Sequence, residues 1–131
     1  MSKALATAIK KRFRLQIEEP ESLVTQYPNE LLEPPQDELW ARVAVLEGRS
    51  FAKEIPPSFR TPGVLMVQVF APLDSGDKAA LVLADLVVTA FRAVTAEGVV
   101  YRVPSVNVVG RSNDWWQVNV VCPFLYDVNG G

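Results

Sequence analysis

Apolar residues recur along the first segment at spacings of three and four. Leu5, Ala8, Ile9 and Phe13 share one face, which predicts a short amphipathic helix over residues 2–14. Lys10, Lys11, Arg12 and Arg14 crowd its last turn, where cations oppose the negative end of the helix dipole. Between Glu18 and Glu38, Pro20, Pro28, Pro34 and Pro35 each limit helix at the residue before them. That stretch reads as an extended segment held by Leu23, Val24, Tyr27, Leu31 and Leu32. Residues 39–46 then alternate as a strand does, with Leu39, Ala41, Val43 and Val45 facing one way and Trp40, Arg42, Ala44 and Leu46 the other.

The run Glu47–Pro62, EGRSFAKEIPPSFRTP, follows no period. Long connections of this kind in small domains are usually functional or disordered, and this one joins two segments suited to antiparallel pairing, so a hairpin arm is expected. Val64–Phe70 is apolar on both faces apart from Gln68, which predicts a central strand. A helix is expected from Asp77 to about Thr95, with Leu83, Leu86, Val87, Ala90 and Phe91 on its buried stripe and Gly98 ending it. Leu81, Val82 and Val88 fall outside that stripe, so a second cover is required: another layer or a neighbouring subunit. Residues 99–103 and 105–109 are strand-like around Pro104. A turn at Gly110–Asp114 leads to a last strand, Trp115–Tyr126, in which Trp116, Val118, Val120 and Cys122 share a face; Pro123 is expected to bend or end its pairing. The predicted fold class is α+β: a single domain over residues 1–131, with an antiparallel sheet of about four strands, helices packed on one face and a long hairpin arm at 47–62.

Composition narrows the function. At 131 residues, 49% hydrophobic and 21% charged, the chain suits one globular domain. A net charge of −2 speaks against general affinity for nucleic acid. There is no histidine, so the commonest general base and metal ligand are missing. Cys122 stands alone in an apolar run, where it reads as a buried small hydrophobe. No apolar stretch is long enough for a signal peptide or membrane span, and a soluble, cytoplasmic protein is expected.

Candidate chemistry is sparse. The strand–turn–helix stretch GVLMVQVFAPLDSGDKAA, Gly63–Ala80, has the outline of a phosphate loop. It lacks the glycine before Lys78 and the hydroxyl after it, and it places Asp74 and Asp77 where an anion would sit. Acids there suit a helix start instead. The pairs Glu18–Glu19 and Asp37–Glu38 lie beside prolines in exposed segments, and Asp74, Asp77 and Asp85 lack the spacing of a calcium loop. No catalytic residue, metal site or cofactor is expected.

Several motifs in order do carry a resemblance. Tyr27-Pro28-Asn29, Pro34-Pro35 and Trp40 open it; the strand ending Phe70-Ala71-Pro72, Gly76, Ala84-Asp85 and Phe91 continue it; Trp116 and Pro123-Phe124-Leu125-Tyr126-Asp127 close it. Together they resemble the small phage tail terminator (tail completion) proteins. The resemblance implies a ring homo-oligomer, commonly a hexamer, on the last ring of the tail tube, which stops tube polymerisation and lets the head join. Its partners would be its own copies, the tail tube protein and a head completion or connector protein. DNA would pass through without specific binding, no membrane would be involved, and the protein would move from host cytoplasm to virion tail. A ring needs two different patches on each subunit. The candidates are Leu81, Val82 and Val88 on the main helix; Arg49, Phe51, Lys53, Phe59 and Arg60 on the arm; and Lys10, Lys11 and Arg14 as charged partners. The alternative is a small monomeric module that grips nucleic acid or another ligand with Trp115, Arg111 and the basic helix.

Overall fold

The computed structural model describes residues 3–28, 30–35, 37–48, 51–54 and 58–129; the side chains of 51–54, 58–59, 75–76 and 127–129 are not described. The chain begins with α1 (Lys3–Phe13), a π-helical turn (Arg14–Glu18) and a last helical turn, α2 (Glu19–Glu21). Next come β1 (Val24–Gln26), β2 (Trp40–Glu47), β3 (Phe51–Glu54) and β4 (Ser58–Pro72). A 3-10 turn (Leu73–Ser75) enters α3 (Gly76–Phe91), and β5 (Thr95–Ala96), β6 (Val99–Tyr101), β7 (Ser105–Ser112) and β8 (Trp115–Asn129) complete the chain.

The spine is the antiparallel pair β4–β8, fifteen residues each, matched from Ser58↔Asn129 to Pro72↔Trp115. Each long strand serves two partners in turn on its other edge. β4 pairs with β2 over Gly63–Phe70 and with β3 nearer its start; β8 pairs with β7 over its first half and with β6 further on. The two prolines inside these strands stand at the changeovers. The Pro62 carbonyl accepts the Gly48 N–H (2.7 Å), and the Pro123 carbonyl accepts the Arg102 N–H (2.8 Å). A strand residue's N–H and C=O point to the same side, so each missing N–H faces the gap between two partner strands and costs no ladder bond.

This arrangement corrects the expected four-strand sheet. Eight strands join one sheet among the described residues, and β1 runs parallel to β2, so the sheet is mixed. Pro123 does not end the pairing, which runs to Asn129. The arm is a β3–β4 hairpin widened by the end of β8.

One cluster forms the core. Ala41 and Val43 from β2, Leu65, Val67 and Val69 from β4, and Val118, Val120, Cys122 and Phe124 from β8 alternate toward it, and α1 and α3 close it. Leu5, Ile9 and Phe13 of α1 are buried as the spacing predicts. Phe13 stacks near Phe91 (6.4 Å), which meets Tyr101 edge-on (4.9 Å). The sheet's other face carries a smaller cluster: Trp40 stacks on Phe70 (4.4 Å), Trp115 meets it edge-on (6.0 Å), and Arg42 lies over both stacked rings.

Helical structure does not stop before Pro20. The Glu19 and Leu23 N–H groups reach carbonyls five residues back, Arg14 and Glu18. In a regular α-turn a proline ring meets the carbonyl four residues back, and the widened turn relieves that contact. Beyond it Leu23 and Tyr27 are buried, but Leu31 is fully exposed and anchors nothing. α3 ends at Phe91, not near Thr95; Gly98 instead forms, with Glu97, a positive-φ turn between β5 and β6. The expected turn at Gly110–Asp114 is mostly strand: Gly110 (φ 94°) sits in a bulge, and the reversal falls on Asn113–Asp114.

Candidate assembly surface

α3 lies over β4 and β8 and reaches β7. Its buried side consists of Ala80, Leu83, Ala84, Val87, Val88 and Phe91, with the two alanines letting the helix settle close to the sheet. Val88 is 8% exposed and belongs to the core. This corrects its assignment to the outer face. The position four residues beyond Ala84 and three before Phe91 continues the buried stripe, and Leu86 takes the outward place instead. The outer side presents Leu81, Val82 (53% exposed) and Leu86 with Asp77, Lys78, Asp85 and Thr89 around them.

A second apolar surface lies along β7, which pairs with β8 on one side. Val106, Val108 (52% exposed) and Val109 are exposed, as is Val103 just before the strand. Val106 and Val108 stand opposite Val120 and Val118, core residues facing the helices, so they point to the side of the sheet that α3 occupies. Sequence reading placed a strand here and missed this exposure; the signal was a valine run without charge, SVNVV, beside a proline.

The basic row of α1 is largely engaged within the subunit. Lys10 Nζ donates to Glu30 Oε2 (3.0 Å) and lies over the Tyr27 ring, Lys11 pairs with Glu97 (3.0 Å), and Arg12 donates twice to the Ala90 carbonyl. Arg14 is exposed. In the arm, Phe51, Lys53, Phe59 and Arg60 fall on β3 and β4, with Arg60 half-buried; Arg49 lies outside the described residues.

Burial raises the Tyr27 phenol, reinforced by its hydrogen bond to Glu18 Oε1 (2.8 Å); burial raises Tyr101 as well. The Lys10 hydrogen bond lowers Glu30, so this exposed pair contributes above the unfolded carboxylate range and is lost as pH falls through the folded value, with a small effect. Burial pushes the Cys122 thiol up to about 11. At pH 8 its labelling by a thiol reagent is expected to be at least about two orders of magnitude slower than that of an open cysteine, with full reactivity in denaturant. Fast labelling of folded protein would place Cys122 outside the core. A cleft of about 110 Å³ lies between α1 and β2, lined by Ile9, Tyr27, Val43 and the exposed Lys10–Glu30 pair. Among the described residues no three potential ligands cluster for a metal, and no helix is long and apolar enough to cross a membrane.

Comparison with known proteins supplies the family. A family model described as phage tail terminator protein matches residues 4–124. The chain belongs to the phage tail terminator family. It is thus a structural protein of phage tail assembly, whose partners are other tail components. One solved structure aligns over 100% of this chain and 98% of its own at a TM-score of 0.68 and 20% identity, a likeness of fold. No curated protein sequence matches this tail terminator.

Proposed function

We propose that this tail terminator closes head-to-tail into a ring, with six copies the expected number, on the head-proximal end of the tail tube. The ring stops tube polymerisation and offers its free face to the head, through a head completion or connector protein. The observation that carries this reading is the apolar surface left over by the fold: Leu81, Val82 and Leu86 on α3, and the exposed valines of β7. The core is already closed without them, so a neighbouring copy is the natural cover. A mildly acidic chain suits a channel that DNA crosses without sticking. In this reading Phe51, Lys53, Phe59 and Arg60 of the arm, with Arg49, reach a neighbour. Lys10 and Lys11, already paired within the subunit, matter less than Arg14.

Shortening the arm by replacing residues 51–58 with a tight turn is expected to leave a folded subunit, because β4 and β8 remain paired across the core. It is expected to abolish control of tube length. Electron microscopy of tubes grown with the shortened protein checks this: tubes of normal length, capped as usual, would refute the arm's role. Immunogold label on wild-type protein should fall at the head-proximal tip of tails, and label elsewhere would refute the position.

A further inference from the structure

Resting on the ring reading above, we propose that β7 receives the arm of a neighbouring copy by strand addition, with α3's outer side as the second half of the same contact. Three observations lead there. First, β7 is an eight-residue strand paired on one side only, and it is the longest such edge among the described residues. Sheet edges are normally blunted by lysine, proline, a bulge or a short length. Here a bulge falls after Val108, and the stretch before it, Ser105–Val108, carries no charge and no proline, which leaves its outward backbone groups able to pair with another strand. Second, Val106 and Val108 point to the side of the sheet that α3 occupies, and α3 reaches β7, so these valines and the helix residues Leu81, Val82 and Leu86 lie on the same side of the sheet. A stable contact takes about 800 Å² from each partner, more than three helix side chains supply, and the strand extends that surface.

Third, the two segments differ in the sign of their net charge. The outer side of α3 carries two exposed acids, Asp77 and Asp85, and one base, Lys78. The arm strands β3 and the start of β4 have two bases in their sequence, Lys53 and Arg60, the latter already engaged within its own subunit, and one acid, Glu54. Asp85 forms no ion pair within its own subunit among the described residues. A contact between these patches is heterologous, as a closed ring needs, since the arm of each copy meets the edge of the next. Strand addition also removes a long open edge, which a lone subunit would expose to aggregation.

The test uses the full chain on tubes of its own tail protein. Val108→Cys and Ala52→Cys are introduced together and singly, with Cys122 left in place because it is buried and unreactive. After assembly and treatment with a short bis-maleimide, the double variant should give a ladder of covalent oligomers on a denaturing gel, and neither single variant should. Independently, Val106→Lys with Val108→Lys should reduce ring formation by about tenfold or more while leaving the thermal unfolding curve in place, since both positions are exposed. Rings that form normally with both lysines, or wild-type-like rings that yield no ladder, would overturn the strand addition and leave the ring reading standing. Wild-type protein that forms no ring in solution or on tubes would overturn both. If the lysines lower the melting temperature, the cysteine pair decides, because it adds no charge.

Discussion

An aspartate at position 88 is expected to unfold the subunit, whereas an aspartate at position 82 is expected to leave it folded and unable to assemble. The two residues are both valines of α3, six positions apart, and differ in what surrounds them. Val88 is 8% exposed and sits in the core cluster. A carboxylate there would be drawn out of water among apolar side chains, and burying a charge in such a site costs several kcal/mol against a total stability of about 5–15 kcal/mol. Val82 is 53% exposed, so its aspartate stays in water, and valine and aspartate have similar helix propensities. A melt of the Val82→Asp protein should fall within a few degrees of wild type, while native mass spectrometry and electron microscopy should show subunits and no rings. The reverse pattern, with Val88→Asp stable and Val82→Asp unfolded, would mean that α3 is turned the other way on the sheet.

The same helix shows where sequence legibility ended. The spacing of Leu5, Ala8, Ile9 and Phe13 on α1 has polar residues between, so only one face could be buried, and it is. α3 is apolar around most of its circumference, so the pattern alone does not distinguish Val88 from Leu86 as the inward residue. Contact with Ala84 and Phe91 on the same stripe decides it. Strand alternation in β2 and β8 was readable for a similar reason to α1: a polar or bulky residue marked most outward positions, Trp40, Arg42 and Leu46 in β2, Trp115, Gln117 and Asn119 in β8. The strand count was not readable, because β4 and β8 change partners at Pro62 and Pro123, and a proline in a sequence looks like an ending. Pro20 misled in the same way, since only the tertiary fold shows that a wider helical turn can hold it. For the candidate surface, Leu81 and Val82 were visible as excess apolar residues on a helix. The β7 valines were not, because an exposed strand edge has the same letters as a buried one.

A side chain at position 63 is expected to cost the fold more than any surface change. Gly63 lies in β4 directly opposite Phe124, whose ring is buried in the core and folds back across the glycine. A Cβ at 63 would stand 2.4 Å from Phe124 Cζ and 2.7 Å from the Leu46 carbonyl oxygen. The carbonyl is held by β2, whose pairing with β4 runs to Glu47↔Gly63, and the ring is held by the core, so neither neighbour yields without moving a strand. Overpacking of this kind costs about 1–3 kcal/mol and occasionally more, and Gly63→Val belongs at the upper end because it branches at the clash. A fall in melting temperature of about 10 °C is the expected reading for Gly63→Val, with a smaller fall for Gly63→Ala. The cause can be isolated by a double-mutant cycle. Phe124→Leu alone should destabilise by leaving space in the core, yet in the Gly63→Ala background the shorter side chain should make room for the new methyl, so the double variant should be less unstable than the sum of the two. Strict additivity would show that the ring is not what excludes a side chain from position 63.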